Sequence, residues 1–353
     1  MKKTLVVRHT RIGDALLALP LVGALAEKYP MDHFTVLTNN RFVVLSDLMP
    51  SNLQMIAMPV KQTVGVFRNI IFCVKRSLFL FCLKKNMAGF DQVVFFQYDS
   101  FEKKLHYYIR QKFPHTQVVV ADDKHFWHTE RLKNKCCDNI SMIGIYQEAL
   151  AQINYKDVGI RTDYSTDLGP SLLSSDTVDR LGLDLSKKFV AFSPFSRESS
   201  KIYPLDRMEV VIDHFAKLQD EFQVLILGGG TYEKECGDRW MVKHPHVVSL
   251  IGKVKFSEEI VLVSKCKVVL AMDSFNMHMA FFLKVPVVSV WGPTAPQNGY
   301  YPPYYGRENV IMRNLDCQPC SMYGENECTH ESKFECMRIP PEAIIRKIEQ
   351  FLS

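Results

Sequence analysis

The 353-residue sequence has no run of about 20 apolar residues free of charge, the length a helix needs to cross a bilayer. Its most membrane-like stretch, Val64–Leu83, carries Arg68, Lys75 and Arg76, which argues against a span. Nor does the opening read as an export signal. The opening MKKTLVV is followed by Arg8, Arg11 and Asp14, which interrupt the apolar stretch before it can act as a signal core. There is no close internal repeat, no low-complexity tract and no strong excess of charge. A net charge of +5 falls well short of a nucleic-acid-binding composition and suits an anionic ligand or an anionic membrane surface. The ten cysteines, with no export signal, point to a reducing compartment and to thiols or metal ligands rather than disulfides.

What remains is a globular composition, 47% hydrophobic and 23% charged, on a chain too long for one ordinary α/β core. Short β-rich runs alternate with longer helical patterns. Thr4–Val7, Phe34–Leu37, Gln92–Phe96 and Gln117–Val120 read as buried strands, and a helix after Asp14 is expected to break or kink near Pro20. Lys156–Ser175, rich in Gly, Pro, Ser, Thr and Asp, reads as an interdomain connection. The pattern then restarts with strands at Phe189–Phe192, Val224–Leu227, Val268–Ala271 and Val287–Val290, and helices near Leu205–Gln219 and from Asn276. Pro340–Leu352 is an amphipathic helix. The alternation implies two doubly wound parallel units, whose ligands bind at the carboxyl ends of strands.

Five constellations follow strands or stand near the C-terminus. In Arg8-His9-Thr10-Arg11-Ile12-Gly13-Asp14, Gly13 lets the backbone turn tightly or approach a ligand, and Asp14 at a helix start offers a carboxylate able to take a proton from a hydroxyl. A plain N-cap aspartate fits the same spacing. In Ser193–Lys201 the hydroxyls, Arg197 and Lys201 ahead of a helix suit a diphosphate, or make a solvated polar loop. Gly228-Gly229-Gly230-Thr231, with Glu233 close behind, admits a nucleotide against bare backbone or simply makes a βα turn; it lacks the spacing of a dinucleotide fingerprint. Asp273-Ser274-Phe275-Asn276-Met277-His278 opens another helix, whose N-terminus favours an anion. Cys317-x2-Cys320-x7-Cys328-x7-Cys336 offers four thiolates for a structural zinc, or four ordinary cysteines in a surface loop. Two further stretches carry weaker signals. His125-Phe126-Trp127-His128 lines an acceptor groove or fills a loop, and the basic, apolar Lys61–Lys85 lies against anionic lipid or forms a core helix with a basic outer face.

Together these motifs resemble glycosyltransferase family 9, the ADP-heptose:lipopolysaccharide heptosyltransferases. Arg8-x4-Gly13-Asp14 with Leu19-Pro20 and Tyr29-Pro30 resembles the family's start. Asp273-Ser274-x2-Met277-His278-x-Ala280 resembles its nucleotide-site motif, followed by Pro286-Val287-Val288 and Gly292-Pro293-Thr294, and the cysteine set also resembles many members. The resemblance is strongest over 1–30 and 268–340.

It implies an α/β GT-B fold of two Rossmann-like doubly wound domains facing a central cleft. The expected division is an acceptor-side domain over 1–165, a donor domain over 175–339, and a helix over 340–353 packing back on the N-terminal domain. It further implies inverting transfer with no cofactor required for catalysis. By similarity Asp14 is the general base, supported by Arg8, Arg11 and Gly13. Ser193, Ser196 and Lys201 meet the diphosphate, Glu233 the nucleoside, and Asp273, Ser274, Asn276, Met277 and His278 form the donor loop.

One position departs from the pattern: Phe275 stands where the family has glycine, which narrows the approach to the backbone. The expected partners are a nucleotide-sugar donor, ADP-heptose first, and a lipid-linked glycan acceptor such as lipopolysaccharide core. No nucleic acid is expected, and the expected place is the cytoplasm, with association at the cytoplasmic face of the inner membrane as an option. Another nucleotide sugar with a different surface-glycan acceptor, or a non-catalytic nucleotide-sugar-binding protein, are the alternatives.

Overall fold

The computed structural model describes residues 1–59, 66–121, 141–169, 172–218 and 220–352, without the side chains of 66–74, 76, 166 and 167. His125–His128 and residues 61–65 of the basic apolar stretch lie outside the described residues. The described chain forms two compact units, one ending at Arg161 and the other starting at Thr162.

The first unit runs β1 (Lys3–Val7), α1 (Ile12–Lys28), β2 (His33–Asn39), β3 (Leu53–Met58), α2 (Val66–Asn86), β4 (Gln92–Phe95), α3 (Ser100–Lys112), β5 (Gln117–Val120) and α4 (Met142–Ala151). Its five strands are all parallel, in the order β3-β2-β1-β4-β5. Strands covered on both faces must be apolar throughout, and β1 meets this with Thr4–Val7 buried end to end. One face packs Leu5, Val7, Val93 and Phe95 against Leu83 of α2 and Phe101, Leu105 and Ile109 of α3. α1 is unbroken through Pro20, which corrects the expected break. Proline removes one helical hydrogen bond, but Leu16–Val22 are all buried, and that burial holds the turn in place.

The second unit runs α5 (Ser175–Leu181), β6 (Lys188–Ser193), α6 (Leu205–Ala216), β7 (Phe222–Ile226), α7 (Thr231–Lys243), β8 (Val247–Ser249), α8 (Phe256–Ser264), β9 (Cys266–Met272), α9 (Phe275–Phe282), β10 (Val287–Val290), β11 (Val310–Ile311) and α10 (Pro341–Glu349). Six parallel strands lie in the order β11-β10-β9-β6-β7-β8. The apolar face of α10, Ile344, Ile345 and Ile348, is buried in this unit's own core with Met208, Ile212 and Phe215 of α6. Tyr203 Oη and Arg207 Nη1 both donate to Ile339 O just ahead of it (2.6 and 3.2 Å). The apolar face of this helix is thus taken up by the second unit's own core.

Both sheets are doubly wound. Strand order reverses between β1 and β4 in the first and between β6 and β9 in the second, so the loops leaving those neighbours part at the sheet's carboxyl edge.

Glu258 ties two helices of the second unit together. Its carboxylate accepts from Thr177 Oγ1 (2.6 Å) and Ser174 Oγ (2.9 Å) of the α5 start, and from Lys255 N (2.9 Å) at the start of α8. Burial pushes Glu258 up, but these donors outweigh it and bring it down to about 2. A carboxyl depressed in the folded state stabilises above its unfolded value and loses that contribution as pH falls through the folded value. Glu258→Gln is therefore expected to cost on the order of 3 kcal/mol at neutral pH, with the gap from wild type narrowing between about pH 5 and pH 3. Urea unfolding at both pH values checks this, and a gap that does not narrow refutes it.

Candidate functional site

In the first unit the loop after β1 carries Arg8–Arg11. Arg8 N still pairs with Leu37 O of β2 (2.9 Å), so the loop leaves the sheet in fixed register. Arg8 and Asp14 are both buried, and Arg8 Nη2 pairs with Asp14 Oδ2. Asp14 is the third residue of α1 rather than its cap. The cap is Arg11, held at φ 52° in the left-handed region that side-chain-bearing residues rarely adopt. The tight turn expected of Gly13 is thus made by Arg11, and Gly13 lies within the helix.

A buried ion pair stabilises only when its remaining polar atoms are satisfied. Gln97, two residues beyond β4, meets several of the loop's polar groups. Its Oε1 accepts from Arg8 Nη1 (3.0 Å), His9 N (2.9 Å), Thr10 N (2.9 Å) and Thr10 Oγ1 (3.0 Å). Its Nε2 donates to Glu102 Oε1 (2.8 Å), which also bonds His9 Nε2 (2.8 Å). Burial pushes Glu102 up, but the hydrogen bond and charge of His9, with Gln97, hold it below the usual carboxylate range. Asp14 Oδ1 carries no hydrogen bond among the described residues.

In the second unit the loops after β6 and β9 interlock. Lys201, in a short 3-10 turn, reaches Asp273 Oδ2 with its Nζ (3.2 Å), and Thr294 Oγ1 donates to the same oxygen (2.8 Å). Asn276 Nδ2 donates to Ser193 Oγ (2.7 Å), and Ser196 Oγ lies 3.4 Å from Asp273 O. Ser274 caps α9 by position. Its Oγ is buried and has no hydrogen-bond partner among the described residues. A buried hydroxyl without a partner is costly, so it favours an acceptor in that space. The arrangement joins an ammonium group, an unpaired hydroxyl and a helix N-terminus, which together suit an anion.

Glu233 stands on the neighbouring turn. Its Oε2 accepts from Gly229 N (2.6 Å), and burial raises its pKa, with the Gly229 bond pulling the other way. Of the three glycines only Gly230 has a positive φ (106°). A Cβ at Gly228 meets Glu233 Oε2 at 2.5 Å and Phe195 at 3.0 Å, so this turn packs against the loop after β6. Met277 is fully buried, and His278 is buried with it in α9. Phe275 begins α9 half-exposed, its ring 6.0 Å from that of Phe256.

The family model described as glycosyltransferase family 9 (heptosyltransferase) matches residues 144–330, more than half of the sequence. The chain belongs to glycosyltransferase family 9. Among curated relatives it is 27% identical to lipooligosaccharide heptosyltransferase 2 of Haemophilus influenzae over 151 residues, 40% of this chain and 42% of that one. It is 24% identical to lipopolysaccharide heptosyltransferase 2 of Escherichia coli over 148 residues, 39% of this chain and 41% of that one. The chain thus spans about two fifths of the length of the curated relatives it matches. Among solved structures, E. coli ADP-heptose lps heptosyltransferase II superposes with a TM-score of 0.64 at 17% identity, covering 100% of this chain and 98% of that one. The family 9 glycosyl transferase of Veillonella parvula gives 0.68 at 18%, covering 99% and 97%. The fold is GT-B, as the motifs implied.

Within this family 9 chain, the four cysteines gather as their spacing suggests. Cys317, Cys320, Cys328 and Cys336 line one small pocket together with His330. Burial, then the neighbouring sulfurs, push the Cys336 thiol up to about 11 and raise Cys320 as well. Among the described residues no group of three or more His, Cys, Asp or Glu is disposed to hold a metal ion.

Sequence reasoning passed over Gln97, Glu102 and Thr294 as site residues. Nothing in the local sequence marks Gln97, whose partners lie 87 to 89 residues away. Gln97→Leu leaves four donors without their acceptor and is expected to cost about 1–3 kcal/mol. A urea midpoint equal to that of wild type would show that the amide does not hold the loop.

Proposed function

We propose that this protein moves a heptose-like sugar from a nucleotide donor, ADP-heptose, to lipopolysaccharide core or a related glycan acceptor. The transfer inverts the anomeric centre and uses no catalytic metal. The observation that carries the reading is the interlocked donor cluster at the β6/β9 reversal, where Lys201 Nζ and the unpaired Ser274 hydroxyl stand at the start of α9. The family match and the curated relatives, named as heptosyltransferases, support it.

The chemistry follows from these groups. As the bond to the sugar breaks, negative charge grows on the leaving diphosphate. Lys201, Ser274 and the backbone N–H groups of α9 stabilise it without reorganising. Asp273 carries charge of the same sign as the diphosphate, so its role is to hold Lys201, with Thr294 fixing the carboxylate. A lysine ammonium has three donors, and one bond to Asp273 leaves the others for phosphate oxygens. Glu233 supplies an acceptor for nucleoside hydroxyls.

On the acceptor side Arg8 grips one oxygen of Asp14, and the other takes the proton of the attacking hydroxyl. A base held at a fixed angle avoids the reorientation a free carboxylate undergoes. The work is placed at the cytoplasmic face of a bacterial inner membrane, where nucleotide sugars are available.

Asp14→Asn is expected to lower kcat by about 10²-fold or more while leaving donor affinity near wild type. Full activity in that variant excludes the general base. Lys201→Ala is expected to weaken donor binding by about tenfold or more, read by calorimetry, and unchanged affinity rejects the phosphate contact. Phe275, at the head of α9, favours a second reading in which the fold takes a different nucleotide sugar. A panel of nucleotide sugars with the purified enzyme separates the two.

A further inference from the structure

Two neighbouring helices of this protein carry a large excess of positive over negative charge. α2 holds five basic residues and no acid; α3 holds four and one acid, Glu102. Together they exceed the net charge of +5 carried by the entire sequence, so the rest of the chain is net negative. Glu102 does not offset this at the surface, because it is fully buried against His9 and Gln97.

The two helices form one layer. Leu83 of α2 and Phe101, Leu105 and Ile109 of α3 cover the same face of the first sheet, and Lys84 Nζ sits 4.6 Å over the ring of Tyr108. Their outward faces therefore adjoin. On α2, Lys75, Leu78, Cys82 and Lys85 follow a three-four-three spacing along the outer side, with Phe81 beside them. Leu78 and Phe81 are 59% and 56% exposed. On α3, Lys103, Lys104 and Arg110 are exposed around Tyr107, which is 71% exposed. Large apolar side chains standing in water within a field of lysines are unfavourable on an ordinary solvated face. They are the composition of a surface that rests in a headgroup layer, with cations on the phosphates and rings between the lipids. Among the described residues no helix is long and apolar enough to cross a membrane.

We propose that the outer face of α2 and α3 docks on an anionic lipid bilayer, with Phe81, Leu78 and Tyr107 inserted and the lysines on lipid phosphates. The proposal deepens the membrane-side placement in the proposed function, but it rests on charge and exposure alone. It thus stands or falls separately from sugar transfer: vesicle binding by a protein that transfers no sugar sinks the transferase reading and leaves the docking face intact.

The test is sedimentation of the purified full chain with phosphatidylcholine vesicles, with and without phosphatidylglycerol. Wild type is expected to pellet with the anionic vesicles only, and less as salt rises. Each removed lysine is expected to weaken partitioning about fivefold, so Lys84, Lys85, Lys103 and Lys104 changed together to Ala should weaken it at least a hundredfold. Leu78→Ser with Phe81→Ser should weaken it about tenfold or more with all cations kept. All of these positions but the half-buried Lys84 are exposed, and circular dichroism is expected to match wild type. Equal pelleting with neutral and anionic vesicles overturns the proposal. So does undiminished binding by the lysine variant, or by the Leu78/Phe81 variant, since the latter leaves a purely ionic surface suited to any acidic macromolecule.

Discussion

A parallel sheet cannot be closed by hairpins. Each strand must be followed by a crossover, and each crossover begins at the same edge, so every loop that follows a strand is delivered to that edge. Where the strand order reverses, adjacent loops diverge, and the polar groups they carry face one another across a gap in the layer of helices. In this protein that constraint acts twice. It sets the loop after β1 beside Gln97 at the end of β4, and the loop after β6 beside Asp273 at the end of β9. The ion pair of Arg8 with Asp14, the Gln97 hub, the Lys201–Asp273–Thr294 cluster and the Ser193–Asn276 bond all sit at these two reversals.

Much of this was readable from residues alone because strands buried on both faces have to be apolar runs. The strands β1, β4, β6, β9 and β10 announce themselves in that way; Gln117–Val120 reads as a buried strand too, but β5 lies at the sheet edge and only its Val119 is buried. Strand β3, Leu53–Met58, does not: it carries the exposed Gln54 and lies at the sheet edge, where one side of the ladder is unpaired and continuous hydrophobicity is not required. The same holds for β11, two residues long, and for the short edge strand β8. Periodicity likewise reveals that α10 has an apolar face but says nothing about which core receives it. Here three isoleucines enter the core of the second unit. Proline in α1 misleads for a related reason. Local propensity counts the lost hydrogen bond, whereas the buried leucines on either side decide the outcome.

The chemistry-bearing residues divide along similar lines. Asp14, Lys201 and Asp273 stand out in the sequence because each follows a strand closely and brings charge to the start of a helical turn. Their supports were not. Gln97 and Glu102 are uncharged or buried, and their meaning comes from partners that are distant in sequence. Gly13 was credited with a turn that Arg11 makes, since spacing shows that a turn is needed without showing which residue takes it. The four cysteines line one small pocket, yet spacing along the chain does not choose between a structural zinc and four ordinary thiols.

On the two readings proposed above, the charge distribution separates two tasks that a single basic surface would confuse. A diphosphate cradle has to discriminate, so it uses few cations and fixes them: Lys201 is held by Asp273, which is itself held by Thr294. The neutralising carboxylate lowers the field that reaches solvent and leaves only directed donors, which reduces attraction for anions that do not fit. A surface for lipid headgroups needs the opposite. Its phosphates are many and mobile, so numerous lysines on flexible stems serve better than one positioned ammonium group, and no exposed acid should stand among them. The described faces of α2 and α3 meet that condition while the donor cluster in the second unit meets the first, and the net charge of +5 conceals both.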